Sequence, residues 1–327
     1  MTQRVTIADI AKRTGLASST VSRALRDSPR VKLATRQRVQ QIANELNFRP
    51  NTLAQSMRNQ RTNAVGVVVS NILNPYFTEL LRGISDELSR VGDHLILFNT
   101  DEQAIKETNV LKTLTGQMVD GLIVASTGGI DNYEDLTETT PTVFVDRLPN
   151  TASINRYDAI LTDNPTAAAG LTQCLLDSGA HRVGFLGGQV TFSANERLNG
   201  YQQALLTNQL PAKRNLVRYT DYTLATTTHA VHELQQQAHV DSLLVTDTVI
   251  LAQVLTALHA MAQPITLKLA TFDYLPWFDF LQVPLVAAQQ ATYQMGHAAV
   301  TTLLQRIAQP DVPITLTRFP VTYHQNF

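Results

Sequence analysis

The stretch TIADIAKRTGLASSTVSRAL, residues 6–25, decides how the first part of the chain folds. Thr6 is a helix-capping residue type with Asp9 three positions on, and Ile7, Ile10 and Ala11 recur at helical spacing, so the pattern predicts a short amphipathic helix. Gly15 follows, a residue that takes a left-handed turn at little steric cost. Helical spacing resumes from Ser18 through Val21, Ala24 and Leu25. Helix, glycine turn, helix is the helix-turn-helix order. Outward from it, a third amphipathic stretch from about Ala34 to Leu46 offers Val39, Ile42, Ala43 and Leu46 as the stripe that closes a small all-α core. A unit of this kind sets its second helix in a DNA major groove, with N-terminal side chains at base edges.

Charge points to the same partner. Residues 1–62 carry twelve Lys or Arg against three Asp or Glu, while the other 265 residues carry fourteen against twenty-four. A basic head and an acidic body therefore hide inside a formal net charge of −1. That asymmetry is the footprint of a polyanion-binding module, with a merely solvated basic face as the reading that charge alone leaves open. Ser18, Ser19, Ser22 and Arg23 are the outward positions of the second helix. The planar fork of Arg23 matches the two acceptors of guanine, and a phosphate clamp is its competing role.

From Asn63 the texture changes to short Val/Ile/Leu runs alternating with amphipathic helices. Runs near 64–70, 94–100, 121–125, 182–187, 242–245 and 268–272 read as strands, and helices fall between them; Asn74 caps and Pro75 starts one whose stripe is Phe77, Leu80, Leu81, Ile84, Leu88 and Val91. Alternation of this kind predicts an α/β body of two parallel-sheet lobes. Ligands of such sheets bind beyond the strands' carboxyl ends, where Ser126, Asp146, Arg147, Thr246, Asp247 and Asp273 stand, with Arg197 on a helix opening onto the same place. Carboxylates and a guanidinium there suit a hydroxyl-rich ligand. Tyr76, Phe77 and Tyr222 are candidate stacking platforms; Phe77 also reads as core, while Tyr76 lies off the stripe.

No catalytic arrangement, metal-ligand spacing or phosphate loop is recognisable, so neither enzyme activity nor a cofactor is expected. Cys174 alone reads as a buried reduced thiol. With no signal peptide and no apolar run long enough to span a bilayer, the expected location is the cytoplasm.

The runs Val5–Ala11, Gly15, Ser19–Leu25 and Asn47–Asn51, followed by Asn74–Phe77, Val119–Val124, Val145–Arg147, His181-Arg182, Glu196-Arg197 and Phe272-Asp273, closely resemble the lactose-repressor (LacI/GalR) family of bacterial transcription regulators. The resemblance implies a helix-turn-helix DNA-binding head at 1–49, a hinge at 50–62 and a periplasmic-binding-protein-like body at 63–327. Within the body it implies one lobe from about 63–160 and 291–320, and another from about 161–290 and 321–327.

DNA contacts are then expected at Thr6, Ser18, Ser19, Thr20, Ser22, Arg23, Arg30, Asn51, Leu53, Ala54, Met57 and Arg58. Met57 occupies the minor-groove wedge where Leu is usual, and a flexible tether without DNA contact is the competing reading of this hinge. Effector contacts are expected at Tyr76, Phe77, Ser126, Asp146, Arg147, Ser193, Arg197, Tyr222, Thr246 and Asp273.

Departures from the family pattern are Ala17 and Lys32 in place of capping Ser, Thr246 in place of Asn, and Tyr274 in place of a second Asp. The implied partners are a pseudo-palindromic double-stranded operator, a second copy of the chain and a small sugar-like effector. No leucine heptad follows the last strand candidates, Ile314 to Arg318 and Val321 to His324, so a dimer is favoured over a tail-held tetramer. The alternatives are a regulator controlled by a partner protein, or a solute-binding protein with no DNA function.

Overall fold

The computed structural model describes residues 5–48, 61–116, 119–130, 132–137, 139–149, 156–260 and 266–326. Two compact units emerge, Met1–Thr62 and Asn63–Phe327.

The first unit contains α1 (Ile7–Thr14), α2 (Ser18–Leu25) and α3 (Leu33–Glu45). The Thr6 amide donates to the Asp9 carboxylate at 2.8 Å, and the Asp9 amide returns a bond to the Thr6 hydroxyl at 3.4 Å. This reciprocal cap satisfies two amides that a helix start otherwise leaves unpaired. Gly15 ends α1 at φ 73°. Ala17 and Lys32 put no side-chain hydrogen bond on the helices they precede. Ile10, Val21, Ala24, Val31, Val39 and Ala43 form the core.

In the second unit the first lobe begins with β1 (Ala64–Val69), α4 (Pro75–Val91), β2 (His94–Asn99), α5 (Ala104–Gly116), β3 (Gly121–Val124), α6 (Glu134–Thr137), β4 (Thr142–Val145) and β5 (Asp158–Thr162). The second lobe comprises α7 (Asn164–Asp177), β6 (Val183–Gly187), α8 (Phe192–Thr207), β7 (Val217–Tyr219), α9 (Leu224–His232), β8 (Ser242–Val245), α10 (Thr248–Ala260), β9 (Lys268–Phe272) and β10 (Leu285–Gln290). Then α11 (Thr292–Ala308) returns to pack on α4, β11 (Leu316–Phe319) joins the first sheet and β12 (Val321–Gln325) joins the second.

The sheet orders are β11-β5-β4-β3-β1-β2 and β12-β10-β9-β8-β6-β7. Apart from β12, which runs antiparallel to β10, the neighbours are parallel. The exception has a simple cause. β11 runs toward the cleft like its sheet-mates, and the chain continues almost directly into β12, which must then lead away from the cleft. Val65, Val67 and Val69 face one helix layer and Val68 the other, so β1 is buried on both sides. Each such side chain contributes about 1.5–3 kcal/mol on burial.

On α4, Asn74 caps through its side chain, accepting from the Tyr76 amide at 3.0 Å. Phe77, Leu80, Ile84 and Leu88 are buried against α11, whereas Val91, expected on the same stripe, is 40% exposed in the last turn. Glycine permits the close approach of these helices: a Cβ on Gly83 would stand 2.2 Å from the Tyr293 carbonyl oxygen, and one on Gly296 would stand 2.3 Å from that of Leu80. Among the described residues the chain passes between the lobes at Asp163, Ala291 and Pro320, with a single residue at each passage. Three parallel single-residue links make a hinge. Cys174 is half-buried rather than fully buried, and burial raises its thiol pKa.

Candidate functional site: a charged cleft between two sheets and an exposed helix face

The carboxyl ends of both sheets converge on one cleft enclosing about 440 Å³ of open space. Its free interior is only about 30 Å³, room for a water or two. Nine of the ten expected effector residues line it: Tyr76, Phe77, Asp146, Arg147, Ser193, Arg197, Tyr222, Thr246 and Asp273.

Asp146 and Asp273 stand in corresponding places in the two lobes. Each is the first residue after its strand, and each has a left-handed backbone, at φ 64° and 65°. Their amides bond to the neighbouring strand, Asp146 to the Ile160 carbonyl at 3.1 Å and Asp273 to that of Ala288 at 2.9 Å. Asp tolerates this conformation better than most residues. The turn aims both carboxyl groups into the cleft.

The two arginines are held firmly. Arg147 makes a two-pronged bond to Glu102, at 2.7 and 3.1 Å, and its Nε lies 3.1 Å from Asp146 Oδ2. Burial alone would raise the Glu102 pKa, but the charge and hydrogen bonds of Arg147 outweigh it and hold the carboxyl below the ordinary range. Arg197 donates to Asn164 Oδ1 at 2.7 Å and to the Thr246 carbonyl at 2.5 Å, with its guanidinium carbon 3.8 Å above the Phe272 ring. These bonds hold the planar fork in place at the cleft wall.

Burial raises the carboxyls of Asp146 and Asp247 against the pull of both arginines. Asp273 is pushed up to about 7, mainly by burial, which Arg197 and a 2.6 Å hydrogen bond from Gln290 offset only in part. Three carboxyl groups and two arginines together offer hydrogen-bond partners of the kind a hydroxyl-rich ligand would use.

Ser126 is the exception. Its hydroxyl is fully buried, 2.7 Å from the Tyr133 hydroxyl and 2.8 Å from the Gly128 amide. Tyr133 in turn donates to the buried Glu107. This network lies within the first lobe, because the chain after β3 turns toward α5 instead of into the cleft. Tyr76, expected off the buried stripe, shares the α4 core instead, 5% exposed and edge-on to Phe77 at 5.1 Å. It lies in the first turn, with its hydroxyl 4.0 Å from Met295 Sδ.

Sequence reasoning missed Glu102, Asn164 and Gln290, the partners that hold Arg147, Arg197 and Asp273. Gln290 carried a usable signal, being a polar residue that closes an apolar strand run. Glu102 and Asn164 carried none, since their roles depend on which strand ends become neighbours.

In the first unit, Val21 and Ala24 of α2 are buried, while Ser18, Ser19 and Arg23 are exposed and Thr20 and Ser22 partly so. Thr6 is exposed but spends its hydroxyl on Asp9, to which it donates at 2.7 Å. Arg23, Arg26, Ser28 and Arg30 border an open concavity. Arg26, not foreseen, donates to the Ser22 carbonyl at 3.1 Å. Asn51, Leu53, Ala54, Met57 and Arg58 lie outside the described residues. Among the described residues no cluster of three His, Cys, Asp or Glu side chains is placed to hold a metal, and no helix is long and apolar enough to cross a membrane.

The family described as periplasmic binding proteins and sugar binding domain of the LacI family matches residues 62–326, and that of bacterial regulatory proteins, lacI family, matches residues 6–51. Catabolite control protein A of Priestia megaterium is 27% identical over 323 residues, covering 97% of this chain and 96% of that protein. The ribose operon repressor of Bacillus subtilis (strain 168) is 29% identical over 326 residues, covering 97% and 96%. Among solved structures, a complex of the transcriptional regulator CelR with cellobiose superposes with TM-score 0.71 at 25% identity, covering 98% of each chain. The Lac repressor dimer bound to operator and the anti-inducer ONPF gives 0.85 at 19% identity, covering 99% and 98%, a likeness of fold.

Proposed function

This chain belongs to the LacI family of bacterial regulatory proteins, and on that premise we propose that it is a sequence-specific transcriptional repressor. It binds a pseudo-palindromic operator as a homodimer, matching two-fold protein symmetry to two-fold DNA symmetry. A small sugar-like effector in the interlobe cleft controls it. The observation that carries this reading is the pair of left-handed aspartates, one from each lobe, facing two pre-oriented arginines in a single cleft.

In the head, Arg23 reads a base edge, with Ser18, Ser19, Thr20 and Ser22 beside it, while Arg26 and Arg30 meet phosphates; Thr6, whose amide and hydroxyl both donate to Asp9, serves as the helix cap. Asn51, Leu53, Ala54, Met57 and Arg58 form the hinge that meets the minor groove. In the body, Asp146, Arg147, Arg197 and Asp273 bond the effector's hydroxyls, with Ser193 and Thr246 in support and Tyr76, Phe77 and Tyr222 against its apolar face. The small interior means that entry requires the lobes to part about their three links. An effector shifts the equilibrium only by its differential affinity for the two states, and a tenfold change in operator affinity needs about 1.4 kcal/mol of coupling. The relatives are regulators, and we read this chain likewise as a cytoplasmic regulator without catalytic activity.

Two assays on the full chain test the reading. Selection from random DNA returns a two-fold symmetric site, and enrichment of no symmetric site contradicts the operator proposal. A thermal-shift screen of sugars, sugar phosphates, nucleosides and purines finds a neutral polyhydroxyl ligand; at 100 times its dissociation constant it adds about 2.7 kcal/mol. Stabilisation by sugar phosphates alone contradicts a neutral polyhydroxyl effector.

A further inference from the structure

The two hinge strands are tied to each other, and to the cleft, by one amide group. Thr162 closes β5 and Gln290 closes β10, each one residue before a passage between the lobes. The Thr162 hydroxyl donates to Gln290 Oε1, and Gln290 Nε2 donates to Asp273 Oδ1 at 2.6 Å. Thr162 is 1% exposed, Gln290 6% and Asp273 8%, so water competes little for these bonds.

A primary amide accepts at one end and donates at the other. In the observed arrangement the Gln290 oxygen accepts from the Thr162 hydroxyl and leaves its NH₂ for Asp273; the reversed amide would make that hydroxyl an acceptor and leave it only Met295 Sδ to donate to. The reversed amide would set oxygen against oxygen, an arrangement stable only if Asp273 is protonated. The Thr162 hydroxyl also lies 3.5 Å from Met295 Sδ, a much weaker acceptor than an amide oxygen.

We infer that Thr162 is a positioning residue for the cleft: acting through the Gln290 amide, it keeps an N–H on Asp273 and so favours the ionised, acceptor form of that carboxyl, which biases the site toward ligand hydroxyls or ammonium groups. The inference rests on the reading of Asp273 as an effector contact. It also ties ligand selection to the hinge, because the bond that orients the amide is the one that joins β5 to β10. The other groups facing Asp273 do not fix its role. Arg197 favours its charge, Asp247 and Asp146 oppose it, and the neighbouring Tyr76 is buried and uncharged. The amide orientation tips this balance.

The test follows unfolding of the full chain, without effector, from about pH 5 to pH 9. Wild type loses stability as pH rises toward about 7, where Asp273 titrates, and Asp273→Asn removes that component. In Thr162→Val, which keeps the side-chain shape but not the hydroxyl, the loss extends upward by roughly 0.5 to 1 pH unit. Thr162→Ser restores the wild-type profile. Gln290→Leu shows the same upward displacement, and Asp273→Asn cancels it in the double variant.

A uniform drop in stability at every pH, with the profile unmoved, makes Thr162 merely structural and overturns the inference. Failure of Thr162→Ser to restore the profile does the same. Because no effector enters the experiment, such a failure leaves the effector reading standing, and that reading is tested separately by ligand response.

Discussion

The exposed face of α2 and the interlobe cleft use the same polar residue types in opposite ways. In the head, Ser18, Ser19, Arg23 and Arg30 stand in water. In the cleft, Asp146, Arg147, Arg197 and Asp273 are at most 8% exposed and already bonded to protein. A surface that meets a long polyanion gains by keeping its cations solvated and available, since phosphate contacts draw largely on counterion release. A site that meets a small neutral ligand gains by preorganisation, so that little ordering is left for binding to supply. Mutation should therefore separate stability from binding in the head and entangle them in the cleft.

The largest effect is expected at Arg147→Ala. Removing the guanidinium leaves Glu102 and Asp146 buried without their partner, which costs about 3–5 kcal/mol of stability by denaturant unfolding. A loss under about 1 kcal/mol would mean that the cleft is wetter than its burial indicates.

Asp273→Asn comes next. The folded-state pKa of Asp273 lies near 7, above the ordinary carboxyl value. The native state therefore keeps a proton that the unfolded chain releases from about pH 4 upward, and stability falls between about pH 4 and pH 7. The change is on the order of 4 kcal/mol at most. The variant should lack this component and exceed wild type at pH 8; a variant with an unchanged profile would contradict the assignment.

For Arg23→Ala the comparison predicts the reverse pattern. Unfolding is unaffected, and specific DNA binding weakens by about 1–3 kcal/mol, concentrated at one base position. Even loss over all sequences would make Arg23 a phosphate contact. Thr6→Ala tests the residue that caps α1, and loss of the cap should cost about 1 kcal/mol in head stability.

The same contrast explains what was legible in the sequence. The head is local: Thr6, Asp9 and Gly15 sit within one helix and its turn, so cap and turn were readable from spacing, and the exposed face of α2 followed from the buried Val21 and Ala24. The cleft is assembled from strand ends far apart in the chain. Position after an apolar run placed Asp146, Thr246 and Asp273 at the cleft, which they line, yet the same rule sent Ser126 there, because spacing does not tell which way a chain turns on leaving its strand. Glu102, Asn164 and Gln290 escaped because partnership across 45, 33 and 17 residues has no periodic signature. β12 ran against its neighbour for a reason visible only once β11 was placed in the opposite lobe.

The most direct test of the account measures affinity for the selected DNA site, with and without the stabilising sugar, for wild type and Arg197→Ala. The sugar should change wild-type affinity at least tenfold, about 1.4 kcal/mol, while Arg197→Ala matches wild type without sugar and shows no response to it. A variant that still responds fully would contradict control of the head through this cleft.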